Sequence, residues 1–321
     1  MNNDCFLKKY KCSKFSDFII EKQYIELLNS LIQMNNLNIL FIGNSGSGKT
    51  CLIDSTIKEY YNSDSIPYHN VLYINNLKEQ GIQYYRNEVK TFCQIKSDIK
   101  GKKKFVILDD LDNINDQSQQ VFRNCIDKYS YNVNFIASCS NNQKIIESLQ
   151  SRFLIIKIKP NSNQLLKKLL YKIVSNENIH LDDDTVKFIL NICNNSIRML
   201  INYLEKFKLI GKNITLTDAK NICTNISFLD FEKYTNFWFI ERDHKKSIKY
   251  IFEIFYKGYS VMDILDNYFY FIKVTDSIKE NIKYSIIKII CKYITIFHND
   301  HEYNIELAFF TNDLINNINI E

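Results

Sequence analysis

The chain has 321 residues, 45% hydrophobic and 24% charged, with 41 basic against 36 acidic side chains and a formal charge of +5. This length gives two or three domains with buried cores, and the composition is that of a soluble globular protein rather than a disordered or membrane-embedded one. The mild positive balance permits contact with nucleic acid without requiring it.

Nine cysteines are scattered without a C-x-x-C pair, and the five histidines fall in no ligand spacing with them, so structural zinc is not expected. Free thiols without a signal peptide fit a reducing intracellular compartment. No apolar run reaches the roughly 20 residues of a membrane span; the stretch 286–297 is interrupted by Lys288 and Lys292. Two prolines and seven glycines predict long helices with few elaborate loops.

Residues 5–14 are short and basic, and Asp17 to Met34 has helical spacing through Ile20, Tyr24, Leu27, Leu28 and Leu31. Two readings stand side by side here: a plain N-terminal helix on the core, or a segment whose Tyr10, Phe18 and Ile19 wall a pocket for a flat base.

The apolar run Leu37 to Ile42 reads as a buried strand, and Cys51 to Tyr60 has helical spacing. Between them lies Gly43-Asn44-Ser45-Gly46-Ser47-Gly48-Lys49-Thr50, which holds three of the seven glycines. Strand, G-x-x-x-x-G-K-T loop and helix together form a phosphate cradle. Glycines let backbone N–H groups face an anion, and the helix N-terminus adds its dipole. Lys49 would reach the outer phosphates of a nucleoside triphosphate, the N–H groups through Cys51 would line it, and the Thr50 hydroxyl would ligate magnesium.

Val71 to Asn75 reads as a second strand. Tyr84 to Ile95 reads as a helix carrying Arg86, Lys90 and Lys96, either a solvated face or one that follows a phosphate backbone. Phe105 to Leu108 is apolar and ends in Asp109 and Asp110. Adjacent carboxylates beside a cradle favour a cation there. Asp109 would contact magnesium and Asp110 would orient the attacking water, with Asp112 past the strand end. Gln117 to Tyr129 is helical, and Asn134 to Cys139 is a strand tipped by Ser140-Asn141-Asn142, where a polar group can position water. A last strand, Leu154 to Ile158, stops at Pro160, giving a parallel sheet of about five strands.

Beyond Pro160 the strand patterns cease. Helices are expected at 164–178, 182–193, 196–210 and 217–224, followed by a helical stretch 228–321 rich in aromatics. At this spacing Phe231, Tyr234, Trp238, Phe252, Phe255, Tyr256 and Phe271 read as core or subunit interface.

With these residues placed, the chain resembles the AAA+ sliding-clamp loaders, in particular the small subunits of replication factor C. Lys9-Tyr10 with Phe15 to Ile19 looks like that family's adenine-holding K-Y-R-P…L-D-D-I-V, with Lys11 and Cys12 in place of Arg-Pro. Gly81 to Phe92 resembles its G-I-D-V-V-R-N-x-I-K-x-F, and Asp109 to Asp112 its D-E-A-D box, with Asp110 for the usual Glu. Cys139-Ser140-Asn141 is similar to the sensor-1 C-N-Y, Ser151-Arg152-Phe153 to S-R-C, and Ser196 to Asn202 to the sensor-2 G-D-M-R-x-A-L-N. Gly258 to Leu265 looks like the collar's G-Y-S-x-x-D-I-L.

The resemblance implies an α/β AAA+ P-loop parallel-sheet domain over 1–160, a small helical lid over 161–227 and an all-helical collar over 228–321. It implies an ATPase using ATP and Mg2+, with Arg198 on this chain's own phosphates and Arg152 acting in trans on a neighbour's. Asn141 takes the sensor-1 part, and Arg86 and Lys90 contact DNA. The implied partners are other clamp-loader subunits in a hetero-oligomer, expected to be a pentamer, with a sliding clamp and primer–template DNA. The implied place is soluble, at the nucleus or another site of replication. Two alternatives stay open: an ATP-binding structural subunit with weak hydrolysis, because Asp110 and Ser140 depart from the pattern, and an AAA+ replication initiator or helicase loader.

Overall fold

The computed structural model describes residues 5–18, 22–74, 85–193, 195–211, 214–224, 226–275, 277–299 and 302–318. The chain divides into two compact units, Met1–Ile173 with Asn195–Glu205, and Val174–Asn194 with Lys206–Glu321. The stretch 161–227, expected as one lid, is thus shared between the two.

The first unit is built on five parallel strands, β1 Ile39–Ile42, β2 Val71–Ile74, β3 Lys104–Leu108, β4 Val133–Cys139 and β5 Leu154–Lys157, in the order β2-β3-β4-β1-β5. β3 and β4 are buried throughout and mostly apolar, because both faces are covered by helices. One face packs Leu40, Val106, Phe135 and Ala137 with Phe122 and Leu149. The other packs Ile39, Phe41, Phe105 and Ile107 with Ile53, Ile57 and Tyr60.

Register decides where the loops meet. β1 lies between β4 and β5, with Ile42 level with Cys139 and Lys157. Leu108 is level with Ala137, so the carboxyl ends of β1, β3 and β4 open onto one edge. Gly43 N donates to Cys139 O at 3.1 Å, carrying the ladder one residue into the loop. Ligands of open parallel sheets bind at this kind of edge.

Two elements differ from their expected extent. Residues 15–17 form a 3-10 turn and the helix proper is Lys22–Gln33, because Phe18 is extended (ψ 136). Ile19 lies outside the described residues. The basic segment forms a π turn Tyr85–Val89 running into a short helix Lys90–Gln94, stopped by extended Ile95 (ψ 128). Its expected first residue, Tyr84, also lies outside the described residues.

The second unit is helical, with Asp183–Ile192, Leu216–Ile222, Phe228–Thr235, His244–Tyr256, Val261–Val274, Glu280–Asn299 and Glu306–Asn317. Phe231, Tyr234, Trp238, Tyr268, Phe271 and Phe310 form its buried centre. Their polar atoms are satisfied there: Trp238 Nε1 donates to Tyr268 Oη at 2.9 Å, and the Tyr234 and Thr311 hydroxyls lie 2.8 Å apart. The aromatic stripe is therefore core at these positions, whereas Tyr256 is exposed.

Candidate nucleotide site

The cradle follows β1 directly and ends at the helix Lys49–Tyr61. Gly46 and Gly48 take φ of +74° and +94°, left-handed values that a side chain would resist. Gly46 is also closely approached: a Cβ there would lie 2.2 Å from Ser196 Oγ. Lys49 is buried, and its Nζ donates to Gly43 O at 2.8 Å and Asn44 O at 3.1 Å, with Ser140 Oγ at 3.5 Å. The ammonium thus rests on the carbonyls of its own loop, held where arriving phosphate oxygens can replace them. Ser47 Oγ is buried in the same loop without a hydrogen-bond partner. An orphaned hydroxyl in a glycine cradle fits a bound anion.

Thr50 Oγ1 donates to Asp109 Oδ2 at 3.1 Å, so the two groups that would hold magnesium already touch. Ser138, fully buried in β4, steadies this corner. Its hydroxyl donates to Asp109 Oδ1 in a short bond and accepts from Asp110 N at 3.1 Å. Asp110 itself sits in a left-handed conformation (φ 51°, ψ 52°). Burial, and then the charge of Asp109, raise its carboxyl above the ordinary carboxylate range. Among the described residues no group of three or more His, Cys, Asp or Glu forms a metal cage. Thr50 Oγ1 and Asp109 are hard oxygen ligands of the kind that suit a magnesium ion shared with phosphate oxygens.

A cavity of about 270 Å3 opens from the cradle. Ser45 to Cys51, Asp109, Asp110, Arg198, Tyr10 and Phe18 all line it. Gly43 and Asn44 take part through the carbonyls that hold Lys49. The cavity also has a wall that sequence patterns did not single out, made by Leu7, Leu165, Leu166, Leu169, Ile197 and Ile201. These residues read as ordinary helix faces, and only the fold brings them into one cavity with Tyr10 and Phe18. Burial pushes the Cys12 thiol up to about 11 and raises Cys51 as well, so both stay protonated and serve as wall rather than nucleophile.

Lys11 is a second unanticipated participant. Its Nζ pairs with Asp54 Oδ2 at 2.6 Å, and Tyr73 Oη donates to Asp54 Oδ1 at 2.8 Å. This ties the N-terminal segment to the cradle helix, and a lysine followed by a lone cysteine carried no sequence signal for it.

Other expected residues lie elsewhere. The Asn141 side chain accepts from Gln143 N at 2.9 Å, capping the next turn, and Asn141 does not line the cavity; Ser140 is the residue of that strand tip within reach of Lys49. Asp112 organises the same tip, accepting from Ser140 N and Asn141 N at 3.1 and 3.0 Å. Arg152 is absent from its own chain's cavity lining and pairs with Asp127 at 2.6 Å. Arg86 and Lys90 are exposed on the π turn and short helix.

Residues 39–161 match the family model described as ATPase family associated with various cellular activities (AAA). In fold, cradle and this match, the sheet unit is similar to AAA ATPase domains, and a helical region follows it.

The chain as a whole is similar to replication factor C small subunits. It is 29% identical over 206 residues to that of Picrophilus torridus, covering 64% of each chain, so the match spans just under two thirds of that relative. It is 27% identical over 290 residues to a putative one of Acanthamoeba polyphaga mimivirus, covering 90% of this chain and 89% of the other. Replication factor C subunit 3 of Oryza sativa subsp. japonica is 27% identical over 267 residues, 81% of this chain and 73% of that one.

Two solved structures share the fold alone. AMPPCP-bound DnaA from Aquifex aeolicus has a TM-score of 0.53 at 12% identity, covering 95% of this chain and 98% of the other. The Thermotoga maritima RuvB Holliday junction branch migration motor has a TM-score of 0.51 at 12% identity, over 73% and 80%.

Proposed function

We propose that this chain is a small subunit of an ATP-dependent clamp loader, working in a hetero-oligomeric ring that loads a sliding clamp onto primer–template DNA. What carries the reading is the division of two arginines. Arg198 lines the same cavity as the cradle, whereas Arg152, in the S-R-F segment, faces away from it. A subunit built this way holds its own ATP and completes a neighbour's site.

The residues would act as follows. Loop N–H groups from Ser45 to Cys51 and Lys49 hold the triphosphate, and Tyr10, Phe18 and the leucine wall hold the base. Thr50 and Asp109 would hold Mg2+, which would supply positive charge against the developing charge of the phosphates. Asp110 accepts a hydrogen bond from the attacking water and orients it, and Ser140 bonds to the phosphate side of Lys49. Arg198 contacts the γ-phosphate from within the chain, and Arg152 contacts a neighbour's. Arg86 and Lys90 contact DNA phosphates without reading sequence.

A structural subunit with slow hydrolysis is favoured by one observation, that Asn141 is committed to its own turn and leaves Ser140 to act alone. Single-turnover hydrolysis in the assembled complex separates the two readings. For the main one, the test is co-purification of the full-length chain from its source cells. Several homologous ATPases and a ring clamp are expected, with Arg152→Ala lowering assembled hydrolysis by roughly 10³-fold while ATP binding persists. Recovery of the chain with no related ATPase would overturn the proposal.

A further inference from the structure

An arginine that acts on a neighbour's phosphates must present N–H groups outward, and Arg152 does not. A guanidinium has five N–H donors. Nε donates to Asp127 Oδ1 at 2.6 Å and Nη2 to Asp127 Oδ2 at 2.9 Å. Nη1 donates to Ser148 O in a short bond and also reaches Ser151 Oγ at 3.4 Å. Four of the five donors are thereby turned onto the chain itself. One Nη2–H remains, too few for a two-pronged grip on phosphate.

The partner that holds it has an alternative. Asp127 is a carboxylate in the last turn of the helix Asp116–Tyr129, and Arg123 one turn earlier places Nε 3.8 Å from Asp127 Oδ2. That Nε is buried and has no hydrogen-bond partner. One carboxylate thus faces two guanidiniums and satisfies one of them. The pair is also reachable, with 28% of the Arg152 side chain and 42% of the Asp127 side chain exposed.

We infer that Asp127 is a latch that stows Arg152 against its own subunit, and that engagement with a neighbour's nucleotide exchanges the carboxylate for phosphate while Asp127 turns to Arg123. This rests on the trans role proposed above for Arg152, and makes Asp127 a positioning residue for it. The exchange trades one charge-assisted pair for another, so the latch tunes the ATP concentration at which the composite site fires rather than the chemistry itself. An exposed pair of this kind changes such an equilibrium by about two- to fivefold.

The test is steady-state hydrolysis against ATP concentration, using the full-length chain assembled with its co-purified partners. Asp127→Asn, Arg152→Ala and the double variant are compared, with thermal melting as a control on folding. The expected result for Asp127→Asn is half-maximal rate at about two- to fivefold less ATP with kcat no lower. The double variant is expected to match Arg152→Ala alone. A fall in kcat for Asp127→Asn would mean that the carboxylate aligns the arginine rather than withholding it. An unchanged ATP dependence would mean that it does neither, and each result overturns the latch while leaving the finger intact. Unchanged hydrolysis in Arg152→Ala would instead remove the trans role, and the latch with it.

Discussion

Gly46→Ala is the substitution whose cost can be worked most fully from the structure. The added Cβ meets Ser196 Oγ at 2.2 Å, Ser196 Cβ at 3.2 Å and Arg198 Cβ at 3.6 Å, on a backbone at φ +74°. The left-handed conformation alone costs an alanine about 1–2 kcal/mol. The clash is relieved if the serine hydroxyl rotates away, but that oxygen accepts from Met199 N at 3.4 Å at the start of the helix Ile197–Ile210. Giving up such a cap costs roughly 1 kcal/mol more. The total of about 2–3 kcal/mol corresponds to a melting temperature lower by about 5–10 °C for a unit of this size. Weaker ATP binding is expected alongside, since Arg198 stands on the displaced turn.

Ser196→Gly removes the obstructing hydroxyl and, on its own, weakens the cap by only a few tenths of a kcal/mol. In the double variant the steric part disappears and the backbone part stays, so the two substitutions couple favourably by about 1 kcal/mol. Melting curves of the four proteins, with ATP titrations, measure this directly. Strictly additive costs, or a Gly46→Ala protein that melts like the wild type, would refute the close packing of cradle against the Arg198 turn.

Three further outcomes are expected. Lys11→Met leaves Asp54, which is nearly buried, with Tyr73 alone; because Lys11 is half exposed, water takes part of its place and the loss is about 1 kcal/mol, read as a small drop in melting temperature with weakened base binding. Asp110 holds its proton more tightly in the folded, unliganded chain than in the unfolded one, so its contribution to stability declines as pH rises from the ordinary carboxylate range through the raised value. Asp110→Asn removes that loss and suits the left-handed backbone. Its unliganded form should melt above the wild type at pH 7, converge with it in acid, and hydrolyse ATP at least about 10²-fold more slowly; a lower melting temperature at pH 7 counts against the raised carboxyl. Asp112→Ala frees two backbone N–H groups at the β4 tip, and single-turnover hydrolysis should fall about tenfold or more while ATP affinity changes less than twofold; equal losses in both would place Asp112 in binding instead.

The cradle was legible because its chemistry is local. Eight consecutive residues supply the glycines, the lysine and the threonine, and apolar runs mark the strand and helix at either end. Asp109 was legible for the same reason, as a carboxylate ending a buried strand. What escaped was assembled by the sheet. Ser138 looks like one polar break in an apolar run until the register of β3 against β4 sets it beside Asp109 and Asp110. Leu165, Leu169 and Ile201 are ordinary helical leucines and isoleucines that come to line the cavity only through packing. Asn141 and Ser140 differ by one position, and backbone geometry at a strand tip, which residue identity does not encode, turns the serine to Lys49 and the asparagine to its own turn. The π turn at Tyr85–Val89 shows the same limit, since apolar spacing near 3.6 does not separate it from an α-helix.

Everything proposed for this chain depends on residues 43–50 holding a nucleoside triphosphate with magnesium. Equilibrium titration of the full-length chain with a fluorescent ATP analogue and Mg2+ tests it most directly, alongside Lys49→Ala. One saturable site per chain is expected, weakened at least about 10²-fold in the variant, in which the buried ammonium that faces the loop carbonyls is gone. Equal affinity in the two proteins, or no saturable binding to the wild type, would contradict it.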